Sequence, residues 1–163
     1  MTIDKERLLA AVKTMALGEV YSFAIDRERE AQLFYKQAQD AVKNLGAKSM
    51  LAELYQEEVQ HEQMLLRARK AEKIEIVGQA RGFVDLGLAD MMPDVRVRPT
   101  STPQEILMAA IKKEAFAESF YLAAEEGTDN PDAKKLFAHL ADEENQHKSM
   151  LETWYDDHIL TNN

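Results

Sequence analysis

Two stretches of this sequence decide its fold: LAELYQEEVQHEQML at residues 51–65 and FAHLADEENQHKSML at residues 137–151. Within each stretch, apolar residues recur at steps of three and four, the spacing that lines one face of a packed helix. The two middle positions of that face hold Glu and His instead: Glu58 with His61, and Glu144 with His147. A buried ionised carboxylate is costly unless it is paired or coordinates a metal. Two such interruptions at matching positions indicate a functional site.

The two stretches belong to a longer internal repeat. Glu58 and Glu144 are 86 positions apart, and the same offset relates Glu28 to Glu114 in the preceding helices. Further pairs share the offset: Ala31 with Ala117, Phe34 with Phe120, and Tyr35 with Tyr121. An unbroken register of this kind predicts duplication of a helix pair.

Composition bounds the class of protein. The chain has 163 residues, and we predict one domain over residues 1–163. The net charge of −9 argues against nucleic acid and against anionic membrane surfaces as partners. The sequence contains no cysteine, which excludes disulfides, thiolate metal ligands and Fe–S clusters. We find no apolar run of membrane-spanning length and no signal peptide, so we expect a cytoplasmic protein.

The periodicity predicts an all-α fold. A short leading helix over residues 4–16 precedes two antiparallel helix pairs, at residues 18–71 and 102–158. Residues 72–101 lack the helical repeat and form the predicted crossover between the pairs, with a short helix around Val84 to Met91. Two hairpins of long helices joined by one long crossover is the ferritin-like arrangement of a four-helix bundle.

Local signals mark where the helices start and stop. The sequence Asn44-Leu45-Gly46 predicts a turn between the first two long helices, because Asn and Gly tolerate the left-handed conformation. Thr102 and Glu105 form a predicted capping box, with Pro103 at the first helical position. Asn130-Pro131 is a second start of the same kind.

The inward polar residues predict a metal centre. Glu and His three positions apart share a helix face and can bind the same ion. One Glu from each of two helices, with Glu-x-x-His from each of the other two, is the pattern of di-iron and di-manganese carboxylate proteins. The predicted ligands are two terminal glutamates, two bridging glutamates and two histidines: Glu28 and Glu114, Glu58 and Glu144, His61 and His147. Carboxylate oxygen and imidazole nitrogen suit Fe, Mn or Zn.

These motifs resemble the rubrerythrin family of the ferritin-like superfamily over about residues 18–158. The segments that carry the resemblance are Glu28-x-x-Ala31-x-x-Phe34-Tyr35 with Glu58-x-x-His61, and Glu114-x-x-Ala117-x-x-Phe120-Tyr121 with Glu144-x-x-His147. The resemblance implies a di-iron four-helix bundle that reacts with dioxygen or hydrogen peroxide, commonly as a homodimer. It also implies that Tyr35 and Tyr121 hydrogen-bond the metal-binding glutamates.

The sequence departs from that family in two respects. It lacks the four cysteines of a rubredoxin-like domain, so electrons must come from an external donor, a rubredoxin-like protein or another reductant. Rubrerythrins also tend to carry a further carboxylate one turn after the third-helix Glu, where this chain has Ala117. A symmetric site with six ligands fits ferroxidase chemistry as well as peroxidase chemistry.

We therefore expect a non-haem di-iron oxidoreductase whose catalytic groups are the metal ligands alone. Two alternatives are an iron storage or delivery protein and a metal-free helical interaction module. Other charged residues near the motifs, including Glu57, Glu62 and Glu143, are assigned mostly to a solvated face, and His139 is expected to be exposed.

Overall fold

The computed structural model describes residues 2–74, 86–93 and 96–160. Within these ranges we find helices and no strand, which confirms the all-α class. The helices, labelled α1 to α5, are Lys5–Lys13, Leu17–Ala41, Leu45–Ala71, Pro103–Gly127 and Pro131–Tyr155, followed by a π-helical turn at Asp156–Leu160. None of the described helices combines the length and the apolar character needed to cross a membrane.

Helices α2 and α3 form an antiparallel hairpin. The Gln32 amide donates to the Glu62 carboxylate at 2.9 Å, and Lys48 Nζ donates to the Gln39 carbonyl at 2.9 Å. Residues later in α2 thus meet residues earlier in α3. The connection between them is three residues long, as expected for neighbouring antiparallel helices.

The second hairpin, α4 with α5, has the same construction. Lys148 Nζ lies 2.8 Å from the Glu118 carboxylate, and Lys134 Nζ donates to the Glu125 carbonyl at 2.7 Å. These contacts again join late residues of one helix to early residues of the next. Each half of the sequence repeat is therefore one antiparallel helix pair.

The hairpins meet through α2 and α4, which are also antiparallel. Tyr35 of α2 hydrogen-bonds Glu114 of α4, and Tyr121 of α4 hydrogen-bonds Glu28 of α2. Because α3 and α4 both run opposite to α2, they run in the same direction. The end of α3 and the start of α4 therefore lie at opposite ends of the bundle, separated by about the length of α4, roughly 37 Å for 25 residues.

Only parts of the crossover, 72–74, 86–93 and 96–101, are among the described residues. Of the predicted short helix around Val84 to Met91, residues 84–85 lie outside them, and residues 87–91 form no helix. Leu88 and Met91 are nevertheless buried against the helices. The crossover thus covers apolar surface at this point.

The helix starts confirm two predictions and correct a third. Thr102 and Glu105 form the capping box, and the Asn130 side chain accepts from the backbone N–H of Ala133. Asn44 was expected in a left-handed turn, but its φ is −65° and its side chain accepts from the N–H of Ala47. Asn44 is therefore the N-cap of α3, because its amide oxygen satisfies a backbone donor of the first turn.

A polar layer divides the apolar core in two. One apolar cluster contains Tyr21, Phe137 and Leu140, with Leu8 and Val12 of α1 packed into it. The other lies further along the bundle, and its larger members include Phe34, Tyr35, Leu51, Leu54, Ile106, Leu107 and Leu151. The inward glutamates and histidines fall between these clusters along every long helix.

Candidate metal centre

The structure brings the six predicted ligands together in the layer between the two clusters. Each of α2 and α4 contributes one glutamate, and each of α3 and α5 contributes one glutamate and one histidine. The exposed fraction is 4% or less for all of them: Glu28, Glu58, His61, Glu114, Glu144 and His147. Ionised groups at this depth are rare unless they are paired or bind a metal.

The ligands form two overlapping groups. One contains Glu28 and His61, the other contains Glu114 and His147, and both contain Glu58 and Glu144. In each group, one ligand atom from every residue lies within 4.8 Å of the others. The sharing of two carboxylates is the geometry that two bridging ligands require.

Both histidine rings direct Nδ1 toward the carboxylates. Nδ1 of His61 lies 3.1 Å from Glu144 and 3.6 Å from Glu28. Nδ1 of His147 lies 3.2 Å from Glu144 and 3.6 Å from Glu114. The rings are nearly parallel, at 11°, with centroids 5.5 Å apart. Each ring therefore offers one nitrogen to one half of the centre.

The outer nitrogen of each ring contacts a glutamate that the sequence interpretation assigned to the solvated face. Nε2 of His61 lies 2.5 Å from Glu143, and Nε2 of His147 pairs with Glu57. Both carboxylates keep partial exposure, 30% for Glu143 and 41% for Glu57. A glutamate directly precedes each Glu-x-x-His motif, at the same offset of 86, and that repeat was the signal that could have identified them.

These outer pairs fix the role of each ring nitrogen. In a neutral ring, an Nε2–H that donates to Glu143 leaves the Nδ1 lone pair of His61 directed inward, and Glu57 has the same effect on His147. Metal-binding histidines commonly donate their other ring N–H to a carboxylate in this way.

Tyr35 and Tyr121 hold the terminal glutamates across the hairpin boundary. Tyr35 donates to Glu114 and Tyr121 donates to Glu28, so each tyrosine contacts the glutamate of the opposite half-repeat. Both rings are buried. One oxygen of each terminal carboxylate is thereby restrained.

The remaining carboxylate oxygens show whether the cluster is suited to bind cations. Among the described residues, we find no hydrogen-bond partner for Oε2 of Glu28, for Oε2 of Glu114 or for either oxygen of Glu58. Buried polar atoms are normally satisfied, and an unsatisfied group calls for a ligand or ion. The donor set of oxygen and nitrogen atoms fits two divalent metal ions.

The carboxylates of the cluster differ in the direction in which their pKa values are shifted. Burial, together with the charges of Glu58 and Glu144, raises the pKa values of Glu28 and Glu114 well above the usual range. Burial also opposes ionisation of Glu144, but its close contacts with Glu114, His147 and His61 hold its pKa at about 2. The metal-free cluster therefore retains protons that bound cations would displace.

The pKa values of the two histidines are also shifted by burial and by the neighbouring carboxylates. Burial alone would lower the pKa values of His61 and His147, but their carboxylate partners raise both above the usual range.

Glu62 and His139 lie outside the cluster. Glu62 faces away from it and pairs with Arg29 at 2.8 Å. His139 is half exposed and contacts the outer oxygen of Glu143 at 3.1 Å.

Comparison with known proteins gives one family match and one similar solved structure. A family model described as Rubrerythrin matches residues 105–163, which include Glu114, Glu144 and His147. A solved structure of a hypothetical protein from Pyrococcus furiosus is similar over 88% of this chain and 90% of its own, with a TM-score of 0.68 and 25% identity. No curated protein gives a significant match. The predicted resemblance to the rubrerythrin family is thus confirmed over residues 105–163.

Proposed function

We propose that this protein is a non-haem di-iron oxidoreductase of rubrerythrin type, built on a ferritin-like four-helix bundle. It would oxidise Fe(II) and reduce dioxygen or hydrogen peroxide, with electrons from an external donor. The ligands would be the six residues of the layer: Glu28, Glu58, His61, Glu114, Glu144 and His147.

One observation carries this proposal: two ligand groups that share Glu58 and Glu144. A single metal site would need only one such group, and a structural polar layer would need neither shared carboxylates nor oxygens without partners. The unsatisfied oxygens of Glu58 and Glu114 also argue against a metal-free interaction module.

Iron bound there would supply the electrons: two Fe(II) with one hydrogen peroxide and two protons give two Fe(III) and two waters. The residues of the chain do the rest. Tyr35 and Tyr121 restrain the terminal glutamates, while Glu57 and Glu143 orient the histidine rings. The apolar clusters on both sides of the layer keep bulk water from it, which strengthens the electrostatic interactions inside.

The experiment that tests the proposal is an anaerobic Fe(II) titration of the purified protein. We expect two irons per chain, followed by oxidation when dioxygen or hydrogen peroxide is mixed in a stopped-flow instrument. Comparison of the two oxidants at equal concentration identifies the preferred one. Binding of fewer than one metal ion per chain, with Mn(II) and Zn(II) tested alongside Fe(II), would rule out the proposed enzymatic function.

Iron storage differs from the proposed activity in what happens to excess iron. Storage requires a closed shell with a mineral core, so size-exclusion chromatography after loading with many irons per chain separates the two functions. We expect iron beyond two per chain to remain unbound, and the protein to elute as the homodimer that the family resemblance implies. The same proposal includes an external electron donor and a cytoplasmic location for the protein.

A further inference from the structure

Three buried aromatic side chains form a row that starts at the metal-binding layer. Tyr121, which donates to Glu28, lies beside Phe137, with 6.3 Å between the ring centroids. Phe137 in turn lies 5.5 Å from Tyr21, centroid to centroid. All three rings are buried. This aromatic row therefore joins a hydroxyl at the layer to a ring in the first turns of α2.

The aromatic row ends where α3 stops and α5 begins. The side chain of Asn130, the N-cap of α5, donates to Glu72, the C-cap of α3, at 2.8 Å. Burial, followed by the charges of Glu72 and Asp132, raises the pKa of Tyr21 to about 12. These polar residues are partly or fully exposed. The row thus runs from the middle of the bundle to the solvent-facing end.

The other half of the repeat has aliphatic side chains at the matching positions. The residues 86 positions from Phe137 and Tyr21 are Leu51 and Leu107, and both pack in the apolar cluster that contains Tyr35. Leucine has no ring through which an electron moves readily. At these positions the aromatic path is therefore present on the Tyr121 side of the centre and replaced on the Tyr35 side.

Two basic residues at equivalent positions of the repeat distinguish the tyrosines in the same direction. The ammonium of Lys113 lies 5.7 Å from the centroid of the Tyr35 ring. Its counterpart Arg27 pairs with Glu30 at 3.1 Å and lies over the ring of Phe23. At 5.7 Å and an effective dielectric constant of about 20, a positive charge disfavours removal of an electron from a ring by about a hundredfold.

The other charges of the layer do not distinguish the two tyrosines. They occur in pairs that the repeat relates, and each pair acts alike on Tyr35 and Tyr121: Glu28 and Glu114, Glu58 and Glu144, Glu57 and Glu143, His61 and His147. The two predicted metals form a further pair. Tyr121 is therefore the tyrosine that loses an electron more easily.

We propose that Tyr121, and not Tyr35, supplies one electron when hydrogen peroxide reaches a centre that holds a single Fe(II). The inference rests on the di-metal function proposed above. One Fe(II), one tyrosine phenol, one hydrogen peroxide and one proton give one Fe(III), one phenoxyl radical and two waters. The phenol proton passes to Glu28 along the existing hydrogen bond and enters the water that forms. Phe137 and Tyr21 connect the radical to the end of the bundle, where one electron and one proton from an external donor restore the phenol.

The test detects the radical itself and does not depend on turnover. Protein loaded with equal amounts of Fe(II) and redox-inert Zn(II) contains centres with one iron, and is mixed with hydrogen peroxide and frozen for EPR without a reductant. Ring-deuterated tyrosine should narrow the signal and so identify it. Tyr121→Phe and Tyr35→Phe each lose one hydrogen bond to a terminal glutamate, so they are matched. We expect the first to lower the radical yield per bound iron about tenfold or more, and the second to change it less than about twofold.

The wild-type protein provides an assignment that does not depend on any variant. After the same treatment, peptide mass spectrometry should find oxidised tyrosine at Tyr121 in excess over Tyr35. Equal oxidation of the two tyrosines, or equal radical yields in the two variants, would overturn the proposal.

A second pair of variants tests the aromatic row. Phe137→Leu introduces the residue type that the repeat has at Leu51, and Phe34→Leu makes the same change beside Tyr35. Hydroquinone, an electron donor too large to enter the core, is added to the radical. We expect Phe137→Leu to slow the decay of the radical several-fold and Phe34→Leu to leave it unaltered, and equal decay in both would overturn the path. A wild-type protein that oxidises bound iron without a tyrosine radical would overturn this inference alone, whereas failure to bind two irons would reject the proposed function.

Discussion

The carboxylate of Glu143 lies 2.5 Å from Nε2 of His61, on the side of the ring that faces away from the buried glutamates. Glu143 belongs to α5 and His61 to α3, so the contact joins the two helix pairs. Glu57 and His147 repeat it in the opposite sense. Each half of the centre thus depends on a side chain that the other hairpin supplies.

Removal of these outer carboxylates should weaken metal binding without removing a ligand. We expect Glu143→Ala and Glu57→Ala each to lower metal affinity by about 10- to 100-fold, because the histidine ring loses its orientation and basicity. Isothermal titration with Fe(II) or Co(II) measures the change. Glu53→Ala, an exposed glutamate on α3, is the control and should leave the affinity unaltered. Equal effects of Glu53→Ala and Glu57→Ala would show that general charge, and not the histidine contact, is responsible.

The proposed bridging role of Glu58 leads to a sharper prediction. Glu58→Ala should prevent binding of the metal pair, because both ligand groups contain Glu58. Glu62→Ala, one helical turn later, should still bind two metals, since Glu62 pairs with Arg29 outside the cluster. Metal content after dialysis, measured by atomic emission, distinguishes the variants. If Glu62→Ala lost metal as completely as Glu58→Ala, the ligand assignment would be wrong.

The buried tyrosines allow a comparison within one residue type. Tyr35→Phe removes the donor to Glu114 and should reduce the free energy of unfolding by about 1–3 kcal/mol. Tyr121→Phe should do the same through Glu28. Urea unfolding gives the values.

Tyr21→Phe is the control for this pair of substitutions. Tyr21 is fully buried, but its hydroxyl has no hydrogen-bond partner in the described part of the chain. We expect a change within about 0.5 kcal/mol, or a small gain in stability, because no buried acceptor is left unsatisfied. A loss as large as that of Tyr35→Phe would mean that the space filled by the hydroxyl, and not its hydrogen bond to a glutamate, governs all three positions.

The convergence of the ligands could be predicted because a helix determines which residues share a face. The steps of three and four that place Leu54, Glu58 and His61 on one face are a property of helical geometry alone. The offset of 86 then required the same face in the second half. Periodicity and repeat together were therefore sufficient to place the polar layer.

Contacts between helices were not predictable in the same way. Glu143 and Glu57 are partly exposed, and only the neighbouring helix determines that they face a histidine rather than solvent. Arg27 and Lys113 occupy equivalent positions, yet Glu30 engages the first while the cluster attracts the second. Side chains at the edge of a helix face have several reachable partners, and the period of the sequence does not select among them.

The metal-free protein should lose stability as pH rises. The raised pKa values of Glu28 and Glu114 stabilise the folded state fully below about 4.5, and this contribution is lost as pH increases through the raised values. The raised pKa of His61 acts in the same direction above 6.5, whereas the lowered pKa of Glu144 contributes a constant amount there. Above about pH 6.5 we expect the free energy of unfolding to fall by about 1.4 kcal/mol per pH unit for each proton that the folded state retains and the unfolded state has lost. Urea unfolding across this range measures the slope, which Glu28→Gln should reduce.

Bound metal should have the opposite dependence on pH. The stability that metal adds over the metal-free form should increase as pH rises, because cations displace those protons and bind more tightly at higher pH. A metal-free protein with no pH dependence in this range would contradict the retention of protons in the cluster.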